Sequence, residues 1–325
     1  MSTGHPSSLR LTADIGATNT RIAIAAPPNP APLAHWRYET KAFTDLKTPL
    51  QTALAEWSGP QPDEAICALA SPVSGDEITL TNVGWSFSIK QTQQALNLDR
   101  LTVVNDWVAQ AWAVTQLTAA DCRELRGGIP NPRAPILVMG PGTGLGSATL
   151  IPHGKEWRAI ACEGGHISFA PTNARESAIV RHIHGTHSHC SAERVASGLG
   201  ITAIYTAICA IDAITPISED PAAISAAAHQ GNPQAQETFS LFSSALGSVV
   251  GDLALALGAR GGIYIGGGLL PAITTLFDQE AFLARSIAKG RFSAYLSNIP
   301  MWQIISDNAA LIGLATVPSQ HANEL

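Results

Sequence analysis

Asp14-Ile15-Gly16-Ala17-Thr18-Asn19-Thr20-Arg21 decides the fold once it is set beside Gly140-Pro141-Gly142-Thr143-Gly144-Leu145-Gly146. Each stretch lies between two short apolar runs, 9–13 and 20–25 around the first, 135–139 and 147–151 around the second. Runs of this length, broken by turn residues, read as strands. A third strand follows each pair, at 35–40 and at 157–161. An internal repeat of strand, glycine turn and strand predicts two related α/β domains.

Working outward, the Pro-rich 27–32 is expected as a loop, 45–57 as a helix and 65–70 as a buried strand. Ser88-Ile89-Lys90-Gln91 has capping-box spacing, so a helix should run from Ile89 to near Asn97. A strand over 101–104 stops at Asn105-Asp106, and helix follows from Trp107. The Gly/Pro-rich 121–135 is expected as a loop. Phe239, Phe242, Leu246, Val249, Val250, Leu253 and Leu257 recur at three- and four-residue steps, one stripe of a long helix ended by Gly258, Gly261 and Gly262. A strand over 263–265 runs into Gly266-Gly267-Gly268, and 307–317 forms a final helix. The expected small domain is 1–112 plus 301–325, and the large one 113–300.

Length and charge limit the function classes. The 325 residues suffice for two domains with a sizeable core. Net charge is -6 without a basic block, which argues against nucleic acid or an anionic membrane as the main partner. A small anionic ligand needs only a local site. No apolar run is expected to reach the length that crosses a bilayer. The polar segment 1–8 lacks a signal-peptide core and is too short for a helix-turn-helix. Five scattered cysteines read as free thiols of a reducing, cytoplasmic compartment.

Six stretches can carry chemistry. In the first turn, Gly16 allows close backbone approach to a phosphate, Thr18 and Asn19 add donors, Arg21 adds charge, and Asp14 could hold Mg²⁺ through water. An ordinary hairpin turn is the alternative. In the second, Gly142, Thr143 and Gly144 suit a phosphate clasp or a tight turn, but neither a Walker loop nor a dinucleotide fingerprint. Asp106 stands at a strand's C-terminal end, the ligand side of an open α/β sheet, where a carboxylate can take a sugar hydroxyl's proton. It could equally cap the helix at Trp107. Glu163 and His166, separated by two glycines, can both reach a polyol, and Glu193 is expected to start a helix. Gly266, Gly267 and Gly268 offer a bare surface for a flat base, or a simple turn.

In this order the stretches resemble the bacterial glucokinase family of the actin/hexokinase-like superfamily. Ser71-Pro72-Val73-Ser74-Gly75 and Lys289-Gly290-Arg291-Phe292 add to the match, which spans nearly the whole chain. The resemblance implies two actin/hexokinase-like (ribonuclease H-like) α/β domains with mixed sheets flanking a central cleft. It implies ATP and Mg²⁺ as cofactors and D-glucose as substrate, phosphorylated at its 6-hydroxyl. It makes Asp14, Gly16, Ala17, Thr18, Asn19 and Arg21, with Gly142, Thr143 and Gly144, the phosphate-binding segments, and Gly266, Gly267 and Gly268 part of the adenosine region. Asn82, Asn105, Asp106, Glu163, His166 and Glu193 would bind the sugar, with Asp106 as base. Ala17 stands where the family often has Gly, and Trp107 where Phe is common. Sugar kinases of this type are often homodimers. A kinase for another hexose or amino sugar, or a catalytically weak sugar-binding regulator, is the alternative.

His182, His184, His187, His189 and Cys190 crowd into nine residues, and imidazole with thiolate suits Zn²⁺. They are expected in a loop before Glu193, where solvated histidines are the rule.

Overall fold

The computed structural model describes residues 9–71 and 73–318; Pro72, in the Ser71–Gly75 motif, and the segment 1–8 lie outside the described residues. The chain divides into two units, Met1–Cys122 with Trp157–Ala161 and Ile305–Leu325, and Arg123–Glu156 with Cys162–Ile304.

The first unit opens with β1 (Arg10–Ile15), β2 (Asn19–Ala26) and β3 (Asn29–Glu39), so most of the expected proline loop is strand. Then come α1 (Lys47–Glu56), β4 (Glu64–Leu69), the hairpin β5 (Glu77–Leu80) and β6 (Trp85–Ser88), α2 (Ile89–Ala95), β7 (Arg100–Asn105) and α3 (Asp106–Ala113). The Ser88 hydroxyl accepts from the Gln91 amide, as the capping box requires. The sheet order is β3-β2-β1-β4-β7, with β1/β2 and β2/β3 antiparallel and β1/β4 and β4/β7 parallel. Leu11, Ile22, Ile24, Leu50, Cys67 and Leu69 fill its core.

The second unit is built on β8 (Cys122–Arg126), β9 (Ile136–Pro141), β10 (Leu145–His153), β12 (Gly262–Ile265) and β13 (Met301–Ile304), in the order β10-β9-β12-β13-β8, while most of β11 (Glu156–Cys162) counts with the first unit. Helices α4 (Ala174–His187), α5 (Gly198–Ile211), α6 (Pro221–His229), α7 (Pro233–Leu257), α8 (Leu269–Ala272), α9 (Gln279–Ile287) and α10 (Ser293–Ser297) complete it. Asn232 caps α7 at its start and Gly258, in the left-handed region, at its end. Among the described residues α7 is the one helix long and apolar enough to cross a bilayer, contrary to expectation. Phe239, Phe242, Leu246, Val249 and Val250 are buried in the core of this unit, so it serves as a core helix. Gly247 and Gly251 permit α9 to lie against it, since a Cβ at either would meet the carbonyl of Phe282 or Ser286.

The last helix, α11 (Ala309–Thr316), belongs to the first unit. A Cβ on Gly313 would strike the Ala109 carbonyl of α3, so this glycine sets how closely the two helices approach. Buried Arg10 donates to Glu64 Oε1 at 2.6 and 2.8 Å and to the carbonyls of Leu314, Ala315 and Val317 at 2.7–3.0 Å. A cation on the last carbonyls of a helix is a favourable C-terminal cap. The first unit runs on to Cys122 and resumes at Ile305, where the sequence reading placed the limits at 112 and 301. The Ile305 amide donates to the Asp121 carbonyl, which joins the two ends of that unit.

Candidate active site

In the first unit the register does the placing. Ile15 pairs with Leu69 and Leu69 with Asn105, so the first glycine turn and Asn105-Asp106 leave the same C-terminal edge of parallel strands. Two strand spacings put Ile15 and Asn105 roughly 10 Å apart. Asp14 and Arg21 are cross-strand partners, and their side chains form an ion pair at 3.2 Å. Burial pushes the Asp14 carboxyl above the usual carboxylate range, against the opposing charge and hydrogen bond of Arg21. Arg21 is therefore engaged with Asp14. Within the turn the Gly16 amide donates to the Asn19 carbonyl at 3.0 Å, and Ala17 and Thr18 are exposed. Arg37 Nε donates to Asn19 Oδ1 at 3.1 Å.

Asn105, and not Asp106, is the N-cap of α3: its Oδ1 accepts from the Trp107 amide at 2.9 Å. Asp106 is the first helical residue, half-buried, with Oδ1 at 3.0 Å from the same amide. Asn82 is exposed on the turn between β5 and β6, apart from the five-stranded sheet.

In the second unit the sugar and phosphate candidates are stitched into one assembly. The Gly142 amide donates to the Gly144 carbonyl at 2.8 Å, and Thr143 is exposed. The first amides of α5, from Gly198 and Leu199, donate to the carbonyls of Gly142 and Thr143 at 2.9 and 3.2 Å. Glu193 lies in a turn ahead of α5 rather than at a helix start, because Ser197 is the N-cap. Its Oε2 accepts from the Leu145 amide at 2.9 Å, and its own amide donates to the Gly165 carbonyl at 2.8 Å. Glu163 and His166 are exposed, 3.9 Å apart. The two glycines between them are buried for a steric reason: a Cβ on Gly165 would strike the Leu145 carbonyl, and one on Gly164 the Ser147 hydroxyl.

Gly266 and Gly267 have a packing role as well. A Cβ on Gly140 would hit the Gly266 carbonyl, and one on Gly267 the Pro141 carbonyl. The end of β12 thus lies backbone to backbone on the second turn. Gly268 is exposed and open. Thr143 borders a cavity of about 740 Å³ also lined by His182, His187, Arg194, Leu199 and Thr202.

The histidine run is not a loop. His182, His184 and His187 lie on α4, and His189 Nε2 is 3.2 Å from the His166 carbonyl. Burial raises the Cys190 thiol to about 11. Among the described residues no group of three His, Cys, Asp or Glu could hold a metal ion. A single carboxylate such as Asp14 still fits Mg²⁺, which takes one or two carboxylates plus phosphates and water.

Thr40, Ser147 and Ser197 were not singled out from the sequence, yet they brace the turns. The Thr40 amide donates to the Thr18 carbonyl at 3.0 Å and its hydroxyl to the Gly16 carbonyl at 2.7 Å. The Ser197 hydroxyl donates to the Glu193 carbonyl at 2.7 Å, and the Gly164 amide to Ser147 Oγ at 3.2 Å. Of these only Ser197, directly before the apolar run of α5, carried a readable cap signal.

The glucokinase family model matches residues 11–321. A glucokinase of Chromobacterium violaceum is 41% identical, covering 99% of this chain and 92% of its own length. A bifunctional protein glk of Paraburkholderia xenovorans is 39% identical over 96% of this chain, which spans about half (49%) of that relative's length. Among solved structures, a glucokinase from an Antarctic psychrotroph matches with a TM-score of 0.86 at 34% identity, covering 95% of this chain and 98% of that one. A ROK family glucokinase of Streptomyces griseus, solved in complex with glucose and AMPPNP, matches with a TM-score of 0.62 at 19% identity over 96% and 100% of the two chains, a likeness of fold alone. The α/β fold with mixed sheets is thus the actin/hexokinase-like fold of these sugar kinases, and the chain belongs to the glucokinase family.

Proposed function

We propose that the chain transfers the γ-phosphoryl group of ATP to the 6-hydroxyl of D-glucose, in the cytoplasm, with Asp106 as the base. One observation carries the assignment of Asp106. Asn105 supplies the helix cap, so Asp106 need not be there for capping, and it stands at the C-terminal edge of the parallel strands. The relatives named glucokinase support the kinase and its substrate, and the two glycine turns suit the phosphates of an ATP donor.

The first unit supplies the base and Asp14, which would hold Mg²⁺ through water. When bound, that ion neutralises charge on the β- and γ-phosphates. Gly16, Ala17, Thr18, Asn19 and Arg21 serve the phosphates, with Arg21 acting through Asp14. In the second unit Gly142, Thr143 and Gly144 hold the phosphates. Asn105, Glu163, His166 and Glu193 orient the sugar by hydrogen bonds, joined by Asn82. Asp106 takes the proton of the 6-hydroxyl as its oxygen attacks the γ-phosphorus, and ADP leaves.

The nucleoside has two candidate seats. Gly268 is the member of the triplet left open to a base. The cavity beside Thr143 favours a second reading, since its size suits a small ligand and it adjoins the phosphate turn. The free cysteines agree with a reducing compartment. A homodimer rests on the habits of sugar kinases alone, and light scattering on the purified chain reads it.

The test is a coupled assay for ADP over glucose, mannose, glucosamine and N-acetylated amino sugars, with ATP, ADP and polyphosphate as donors. Glucose with ATP should give the highest kcat/KM. Preference for another sugar overturns the substrate, and no sugar-dependent turnover overturns the kinase.

A further inference from the structure

We propose that Glu193 is a positioning residue for the nucleotide as well as a ligand of the sugar, and that it couples the two binding events. The inference rests on the function proposed above. Three bonds tie this residue down. Its Oε2 accepts from the Leu145 amide at 2.9 Å, its amide donates to Gly165 at 2.8 Å, and its carbonyl accepts from the Ser197 hydroxyl at 2.7 Å.

The contact with the second turn is also steric. The Glu193 carboxylate occupies the place that a Cβ on Gly144 would need. A side chain at 144 would therefore have to displace the Glu193 carboxylate, and φ there lies outside the left-handed region. Ser197 continues the link: it caps α5, whose first amide, from Gly198, holds the Gly142 carbonyl at 2.9 Å. One carboxylate thus fixes the backbone of the phosphate turn with one oxygen, and the proposed sugar contact uses the other. A sugar that orders this carboxylate orders the turn, and by linkage a nucleotide that orders the turn favours the sugar.

The experiment measures AMPPNP binding by calorimetry without sugar, and glucose binding by tryptophan fluorescence without nucleotide. Glu193→Ala should weaken AMPPNP about tenfold, the loss of one charge-assisted hydrogen bond. Glu193→Gln keeps an acceptor for the Leu145 amide, so it should restore AMPPNP affinity to within about threefold while glucose binding stays about tenfold weak. Gly144→Ala leaves Glu193 in the chain but displaces its carboxylate, and should weaken glucose about fivefold although residue 144 offers the sugar no side chain. Wild-type AMPPNP affinity in Glu193→Ala, or wild-type glucose affinity in Gly144→Ala, overturns the coupling. Failure of the unaltered chain to bind AMPPNP overturns the nucleotide reading itself, and the coupling with it.

Discussion

The two glycine turns are built on the same unit yet handle charge differently. In each, an antiparallel hairpin carries the turn, and the first strand of the hairpin pairs in parallel with a later strand: β1 with β4, β9 with β12. The first turn has its charges on its own strands, Asp14 against Arg21, and is braced from β3's end by Thr40. The second has no ionisable residue between Gly140 and Gly146 and takes its carboxylate from Glu193, 48 residues further on. The first lies at the sheet edge where two carboxylates, Asp14 and Asp106, end parallel strands. The second is a backbone cradle whose geometry is held from outside.

The largest expected effect breaks the first side of that comparison. Asp106→Ala should lower kcat about 10³-fold with Tm little changed, because Asn105 retains the cap. Wild-type turnover would remove Asp106 from the role of base. Asp14→Asn should lower kcat/KM about 100-fold and shift its apparent Mg²⁺ requirement upward in a metal titration.

The same variant tests a sign. Because burial raises the Asp14 carboxyl above 3.8, the native state binds more protons than the unfolded chain as pH climbs through that window, so stability falls with rising pH there and stays reduced above it. Asparagine has no such dependence. The Tm of Asp14→Asn relative to wild type should therefore rise from pH 3 to pH 8. A fall instead would mean that the ion pair with Arg21 outweighs the burial.

Packing tests the second turn. Gly140→Ala drives a Cβ into the Gly266 carbonyl and should cost about 2 kcal/mol, seen as a Tm lower by several degrees. Gly142→Ala meets no atom within 4 Å and should unfold like wild type. The smallest effect sharpens the nucleoside seat. Leu199→Trp, at the cavity lining, should raise KM for ATP about fivefold, the order of 1 kcal/mol, while Gly268→Ala changes it little. The reverse outcome assigns the base to the glycine triplet.

Much of the architecture was legible because it is written in local pattern. The capping box at Ser88, the stripe of α7 and the C-cap Gly258 each depend on neighbours a few residues away. The hairpin β5/β6 was missed although its alternation of buried and exposed residues, Glu77 to Leu80, was readable. Strand β8 was not readable, because Cys122 to Arg126 is a polar edge strand within a Gly/Pro-rich stretch. The histidines of α4 read as loop because polar residues blur the stripe of a helix with few buried positions.

By itself the sequence determined the repeat, the strands of the two repeated units, the buried strands β4, β7 and β12, and the residues that could carry chemistry, since these follow from short-range patterning and side-chain type. Only the tertiary structure decided which residue caps α3, that Arg21 is held by Asp14, and that Glu193 grips the Leu145 amide. It also decided that buried Arg10 would meet both Glu64 and the end of α11, residues 54 and more than 300 positions away. The physical reason is the same in each case. A hydrogen bond or ion pair between distant positions leaves no periodicity in the chain, and comes into being only when sheet register and helix packing bring its partners within 3 Å or so.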